Sequence, residues 1–341
     1  MLSFESAYTE GAHESILRRL SETNLEQTPG YGLDRYSESA KDRIREAFGV
    51  PEADVFFLVG GTQTNSTVIA SMLRDYEGVV AVRTSHIGVL ESGAVEYTGH
   101  KVLTLEPHDG KMSAHDLEAY LEAFYSGGTY DHMVFPGMVY ISFPTELGTI
   151  YSKLEMKALH DVCVRYSIPL FVDGARLGYG LMSDSNDIGI KELASLCDVF
   201  YIGGTKVGAL FGEAVVFPYG NAPAHFFTTI KQHGALMAKG RLLGLQFDTL
   251  FTDGLYFDIA RHADGMAQLL RNIFTEKGFP LYIDSPTNQQ FFIMTREQAA
   301  GLHEKVRFED WCPVDDGRIA VRFVTSWATS RDNVLALRDI L

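Results

Sequence analysis

Six short, almost wholly apolar runs alternating with amphipathic stretches restrict this chain more than any other feature of its sequence. The runs are Val55–Val59, Val79–Val82, Met138–Ser142, Pro169–Val172, Val199–Gly203 and Glu213–Phe217. A strand that is apolar at nearly every position must be covered on both faces, as strands of a parallel sheet are. Between the runs, helices are predicted at Asn65–Tyr76, His115–Ser126, Leu154–Ser167 and Ile190–Cys197. Ser113 is a suitable N-cap for the second, and Ser152 stands near the start of the third. The pattern predicts an α/β fold, a mostly parallel sheet flanked by helices. After about Gly254 the texture changes to a long helical stretch (Gly254–Lys277), extended segments at Leu281–Thr295 and Ile319–Ser326, and a last helix from Arg331. We therefore expect an N-terminal arm over 1–30 with a helix at Ala12–Leu20, a large domain over 31–250 and a smaller α+β C-terminal domain over 251–341.

Composition removes several alternatives. A net charge of −15 argues against nucleic acid as a partner, because phosphate backbones are bound by basic surfaces. No apolar run approaches the ~20 residues of a membrane span. The N-terminus, MLSFESAYTEG, lacks a basic start followed by an apolar run, so a soluble cytoplasmic protein is expected. The three cysteines, Cys163, Cys197 and Cys312, are too few and too scattered for a disulfide framework or a zinc site; Cys163 and Cys197 read as core thiols. No metal is expected.

Three segments put chemistry at the ends of predicted strands, where open α/β sheets bind ligands. Gly60-Gly61-Thr62-Gln63-Thr64-Asn65-Ser66 joins a strand to a helix. Its glycines admit an anion to the backbone, and the helix start offers free N–H groups; the same residues also suit a turn that merely caps itself. It is neither a dinucleotide G-x-G-x-x-G pattern nor a Walker loop, which sets aside a nicotinamide dehydrogenase. Asp173, in Val172-Asp173-Gly174-Ala175-Arg176, is a carboxylate directly after a buried strand and needs a partner. A protonated pyridine nitrogen would serve, and so would an ion pair with Arg176. Lys206, after Tyr201-Ile202-Gly203-Gly204-Thr205, is an amine at the end of an apolar run. It suits a Schiff base with an aldehyde cofactor, or a surface loop.

Phosphate turn, aspartate and lysine in this order resemble the threonine aldolase group of the aminotransferase-like pyridoxal 5′-phosphate (PLP) superfamily, the PLP transferase fold type I. The resemblance is carried by Gly-Thr-Gln-Thr-Asn (61–65), Ser-His-Ile-Gly-Val-Leu-Glu-Ser-Gly-Ala (85–94), Thr-Glu-Leu-Gly-Thr-Ile-Tyr (145–151), Val-Asp-Gly-Ala-Arg (172–176), Gly-Gly-Thr-Lys (203–206), Lys-Gln-His-Gly-Ala-Leu (231–236) and Arg-Phe-Val-Thr-Ser-Trp (322–327). These segments span nearly the whole chain in family order.

The resemblance implies cleavage of L-threonine, L-allo-threonine or a related L-β-hydroxy amino acid to glycine and an aldehyde. It makes Lys206 the Schiff-base lysine, with Thr205 beside it, Asp173 the partner of the pyridine nitrogen, and Gly61 and Thr62 the phosphate-binding pair. His86 would stack on the cofactor ring and assist proton transfer, or serve structure alone. Arg176, also beside the cofactor, and Arg322 would bind the substrate carboxylate, a task suited to a planar guanidinium, with Ser6 in support. Lys231 would help neutralise the phosphate, or be a solvated helix lysine. Tyr31 would reach the active site of a neighbouring subunit, in a homodimer or homotetramer with shared sites. Glu91 matches a family acid to which no role is attached. Two departures stand out. Ala7 occupies a position where the family commonly has aspartate, and Phe143-Pro144-Thr145-Glu146 lacks a histidine that many members carry there. The competing readings are β-elimination, transamination and a non-catalytic PLP-binding module.

Overall fold

The computed structural model describes all 341 residues, Met1–Leu341. Seven strands form the main sheet: β1 Asp54–Leu58, β2 Glu77–Val82, β3 Val102–Leu105, β4 Phe135–Ser142, β5 Leu170–Asp173, β6 Val199–Gly203 and β7 Glu213–Phe217. Their spatial order is β1-β7-β6-β5-β4-β2-β3. All adjacent pairs are parallel except the two made by β7, which runs antiparallel to both β6 and β1. The predicted mostly parallel α/β sheet is therefore present, with one reversed strand that the sequence did not announce.

The continuous apolar runs have a simple cause. Val80, Val139, Ile141, Val172, Phe200, Ile202 and Val216 pack into one core on one face of the sheet. Their alternating neighbours Val79, Met138, Tyr140, Phe171, Val199, Tyr201 and Val215 pack into a second core on the other. Each strand thus feeds two cores at a period of two.

A smaller antiparallel sheet, in the order β9-β10-β8, is built from β8 Gln289–Thr295, β9 Glu309–Pro313 and β10 Arg318–Val324. It shares a third core with the helix Leu255–Glu276, including Phe274, Phe292 and Phe323. Leu2–Ser3 pairs in parallel with Val306–Arg307, and Phe4 enters that third core, so the first residues of the chain are fastened to the C-terminal part.

Several boundaries moved. The helix predicted at Asn65–Tyr76 runs Gly61–Met72, because Gly60 is extended and starts it directly after β1. The helix predicted at Ile190–Cys197 stops at Leu193. Arg35–Phe48 and Arg241–Leu250 are helices that were not predicted. Cys163 and Cys197 are buried thiols, as expected. No helix is long and apolar enough to cross a membrane.

One buried group works against the fold. Asp264, on the helix Leu255–Glu276, is 6% exposed, and neither carboxyl oxygen has a hydrogen-bond partner. Burial first, then the charge of Asp184, push its carboxyl well above the ordinary 3.8, and the Asn288 amide offsets only part of this. Such a raised acid costs nothing below the unfolded value, and its cost grows as pH rises towards the folded value. Asp264→Asn should therefore raise the melting temperature at pH 8, by the equivalent of about 1–3 kcal/mol, with the gain shrinking towards pH 4. A gain that is equal at both pH values, or a loss at pH 8, would contradict this account.

Candidate active site

The strand register brings one residue from each central strand to a common edge. Ser142 pairs with Asp173 across β4 and β5, and Gly203 and Leu58 both pair with Glu213 across β7. Because β7 is reversed, its first residue rather than its last arrives at the edge where the parallel strands end. A two-part cleft opens there. Its inner part, about 450 Å³, is lined by Gly61, Thr62, His86, Asp173, Arg176, Thr205 and Lys206. Its outer part, about 820 Å³, lies towards the small sheet and takes in Ser6, Arg322, Glu309 and Trp311. Tyr8, His86, Leu90, Glu146, Arg176 and Lys206 border both.

At one end of the inner part, the helix Gly61–Met72 begins on Gly60 with no side-chain cap. Its first amides are left to a ligand or to water, and the positive end of the helix dipole faces an anion site. A Cβ at Gly61 would come 3.3 Å from the Tyr201 hydroxyl, so glycine keeps this approach open.

At the floor, Asp173 accepts four hydrogen bonds. The Tyr140 hydroxyl (2.5 Å) and Asn65 Nδ2 (3.0 Å) reach Oδ2, while the Tyr201 hydroxyl (2.5 Å) and the Ala175 amide (2.9 Å) reach Oδ1. Burial alone would raise this carboxyl, but the facing His86, both tyrosines and the Ala175 amide outweigh it and hold Asp173 below its ordinary value, as a carboxylate. No ion pair with Arg176 forms, which disposes of the structural alternative for Asp173. Asn65 also donates to Glu91 Oε1 (2.8 Å), which meets His86 Nδ1 at 2.7 Å. Glu91 therefore fixes the His86 ring and leaves Nε2 for the cleft.

Lys206 sits on a locked loop. The Gly204 and Thr205 amides donate to the Gly212 carbonyl (2.9 and 3.2 Å), and the Thr205 hydroxyl donates to Glu213 Oε1 (2.8 Å). The Tyr179 hydroxyl donates to the Lys206 carbonyl. Lys206 Nζ itself has no hydrogen-bond or ion-pair partner, and lies 6.0 Å from the centre of the Tyr8 ring. Burial first, then Arg176, bring its amine down to about 7, against the pull of Asp173 and Glu213. Glu213 is pushed up to about 8 by burial, offset in part by Thr205, Lys206 and the Gly204 amide. A buried amine that is partly neutral at neutral pH is a nucleophile.

Arg176 is half-buried, its Nε is buried without a hydrogen-bond partner, and desolvation followed by the charge of Arg322 brings it down to about 10. Arg322 is held by Gln289 Oε1 (3.1 Å) and by Glu309, and its guanidinium lies 4.8 Å from the centre of the Trp311 ring. Arg176 and Arg322 both border the outer part of the cleft and place two guanidiniums there.

Of the residues expected from the sequence, Gly61, Thr62, His86, Asp173, Arg176, Thr205, Lys206, Ser6 and Arg322 border this cleft. Tyr31 and Lys231 do not. They meet each other, with Lys231 Nζ 4.6 Å from the Tyr31 ring centre, and Tyr31 borders a separate apolar recess with Phe56 and Phe227. Tyr8, Tyr140, Glu146, Tyr201 and Glu213 are at the site without having been singled out.

The residues fit the cofactor that the resemblance implies. Gln63 Oε1, Thr64 Oγ1, Asn65 Oδ1, Thr84 Oγ1 and Ser85 Oγ are buried polar atoms without partners on the two segments that lead into the cleft. An uncapped helix start, an ionised aspartate and an unpartnered lysine match a phosphate, a pyridine nitrogen and an aldehyde in turn. No cluster of His, Cys, Asp or Glu could hold a metal ion.

Comparison with known proteins agrees. The beta-eliminating lyase family model matches residues 8–286. A low specificity L-threonine aldolase of Pseudomonas sp. is 30% identical over 312 residues, covering 90% of this chain and 87% of the relative. A Leishmania major threonine aldolase structure is 39% identical, with a TM-score of 0.95 over 100% of both chains. A Thermus thermophilus aspartate aminotransferase superposes with a TM-score of 0.70 at 16% identity, over 100% of this chain and 96% of that one, which speaks to the fold alone. The family model covers most of the chain, including Lys206, Asp173 and Arg176, and the chain belongs to the beta-eliminating lyase family.

Proposed function

We propose that the protein is a PLP-dependent aldolase that cleaves L-threonine, L-allo-threonine or a related L-β-hydroxy amino acid to glycine and an aldehyde. The observation that carries this reading is the half-buried, unpartnered Lys206 amine in a cleft shared with ionised Asp173 and the Arg176–Arg322 pair. PLP, when bound, supplies an electron sink for a bond broken at the α-carbon of an amino acid attached to it. Lys206 holds the cofactor covalently, with Thr205 bracing its loop. Gly61, Thr62 and the uncapped helix start hold the phosphate. Asp173 keeps the ring nitrogen protonated, and His86, oriented by Glu91, covers the ring.

Arg176 and Arg322 clamp the substrate carboxylate with Ser6 beside them, which fixes the α-carbon relative to the ring. Glu309, now on Arg322, gives way to the substrate carboxylate. Arg176→Ala should lower kcat/KM roughly 30- to 1000-fold, the equivalent of about 2–4 kcal/mol for one buried charged contact. An unchanged KM for L-threonine together with full kcat would remove Arg176 from the clamp.

Tyr31 and Lys231 lie outside the chain's own cleft, on a face with the exposed apolar residues Leu33 and Phe227. We read this face as the contact of a homodimer or homotetramer in which these residues approach a neighbour's cleft. A cytoplasmic location fits a small-molecule enzyme of this kind.

Product analysis tests the reaction. With L-threonine or L-allo-threonine, glycine and acetaldehyde should appear in equal amounts. Ammonia and a keto acid in their place would make β-elimination or transamination the reaction instead.

A further inference from the structure

We propose that Glu146 is the catalytic base that takes the proton from the substrate's β-hydroxyl group, an assignment that rests on the aldolase reading above. Four carboxylates border the inner part of the cleft, namely Glu91, Glu146, Asp173 and Glu213. Three of them are committed. Asp173 is held at the floor by four donors and is the carboxylate assigned above to the ring nitrogen. Glu213 receives the Thr205 hydroxyl on one oxygen and the Gly204 amide on the other. Glu91 spends Oε1 on His86 and Asn65, and its Oε2 is sealed from the cleft. Glu146 differs on two counts. It is the one carboxylate that borders both parts, so it stands at the junction between the cofactor side and the side where a β-substituent must extend. Its two incoming hydrogen bonds, from the His86 amide (2.8 Å) and the Ser142 hydroxyl (2.7 Å), both land on Oε1, and no other residue donates to Oε2.

The side chain is held for this task. Glu146 is 8% exposed, and the His86 and Ser142 donors fix one oxygen while leaving the other to the cleft. Burial first, then Asp173, raise its carboxyl above the ordinary 4.5, while Ser142, its own amide and the His86 amide hold the rise in check. A raised carboxylate is a stronger base than a solvated one. In the step assigned to it, Oε2 takes the hydroxyl proton. The O–H electron pair becomes the second bond of the aldehyde carbonyl, the Cα–Cβ bond breaks, and its pair stays with the α-carbon. The α-carbon then takes a proton to become glycine, and Glu146 returns its proton to water. This places an acid where the sequence lacked a histidine before the Leu-Gly-Thr stretch.

The test separates this step from everything that does not need a hydroxyl group. Glu146→Gln keeps the shape and an acceptor for His86 and Ser142. It should lower kcat for L-threonine cleavage about 10²- to 10⁴-fold, the usual worth of a general base. Exchange of the glycine α-proton with deuterated water, the dissociation constant of glycine and the melting temperature should stay close to wild type. If Glu146→Gln cleaves L-threonine at a rate close to wild type, the assignment is overturned. Parallel loss of cleavage, glycine exchange and glycine binding would also overturn it, in favour of a structural role. Glu146→Asp covers the case of a misfolded glutamine variant: a deficit in cleavage with normal glycine exchange supports the base, and equal deficits in both contradict it. A wild-type protein that exchanges the glycine α-proton but releases no glycine from any β-hydroxy amino acid would sink the aldolase reading itself, and Glu146 would lose its substrate.

Discussion

Replacing Lys206 with alanine is expected to lower turnover on the order of 10³- to 10⁶-fold, the range seen when a covalent catalytic group is removed. The amine is half-buried in the cleft without a hydrogen-bond or ion-pair partner, and it is brought down to about 7, so part of it is neutral at physiological pH. The same environment predicts the opposite effect on stability. A lysine whose folded value is depressed costs the fold nothing above the unfolded value near 10.5, and the full cost is present below about 7. Without cofactor, Lys206→Met should therefore melt higher than wild type at pH 6 and lose that advantage towards pH 10. Activity and stability would move in opposite directions, as at other sites that hold a group against its preferred state. Residual turnover within tenfold of wild type would show that another residue does the work.

Asp173→Ala should cost about 30- to 5000-fold in kcat, the equivalent of the 2–5 kcal/mol lost when one member of a buried charged pair is deleted. Here the cost has two sources. The ring nitrogen loses the carboxylate that keeps it protonated, and the hydroxyls of Tyr140 and Tyr201 lose the acceptor they share. The second source can be measured apart from the first. Unpaired buried donors cost about 1–3 kcal/mol each, so the cofactor-free variant should also melt below wild type. Tyr140→Phe together with Tyr201→Phe would recover part of the melting temperature in the Asp173→Ala background without recovering turnover. Turnover within twofold of wild type in Asp173→Ala would exclude this residue from the chemistry.

Much of the fold was legible because its strands are covered on both faces. Val199–Gly203 and Glu213–Phe217 were delimited to the residue, and the other four predicted strands to within three residues at either end. Direction was not legible. Glu-Ala-Val-Val-Phe reads alike as a parallel or an antiparallel strand, so nothing in the sequence said that Glu213 would arrive at the catalytic edge. Two strong helices escaped notice. Arg35–Phe48 is framed by Asp34, which accepts from the Tyr36 and Ser37 amides, and by Gly49 in the left-handed region. Arg241–Leu250 is buried on most sides, and its polar Asp248 and Thr249 face Arg19 and Arg43 rather than solvent.

At the site, strand-end motifs pointed to Lys206 and Asp173, and the family resemblance to both arginines, but neither pointed to the residues around them. Tyr140 and Tyr201 converge on Asp173 from the two strands that flank β5, a relation set by sheet order rather than by sequence distance. Glu146 was passed over because its segment was judged by the histidine it lacks. Its neighbour His86 is 60 positions away in the chain, and their contact runs through a backbone amide that carries no residue-type signal.

Reduction of the purified protein with borohydride, followed by peptide mapping, tests the central claim most directly. A yellow protein whose colour is lost on reduction is expected, with a pyridoxyl group recovered on the peptide that contains Lys206 and on no other. A colourless protein, or a pyridoxyl group on a different lysine such as Lys231, would contradict it.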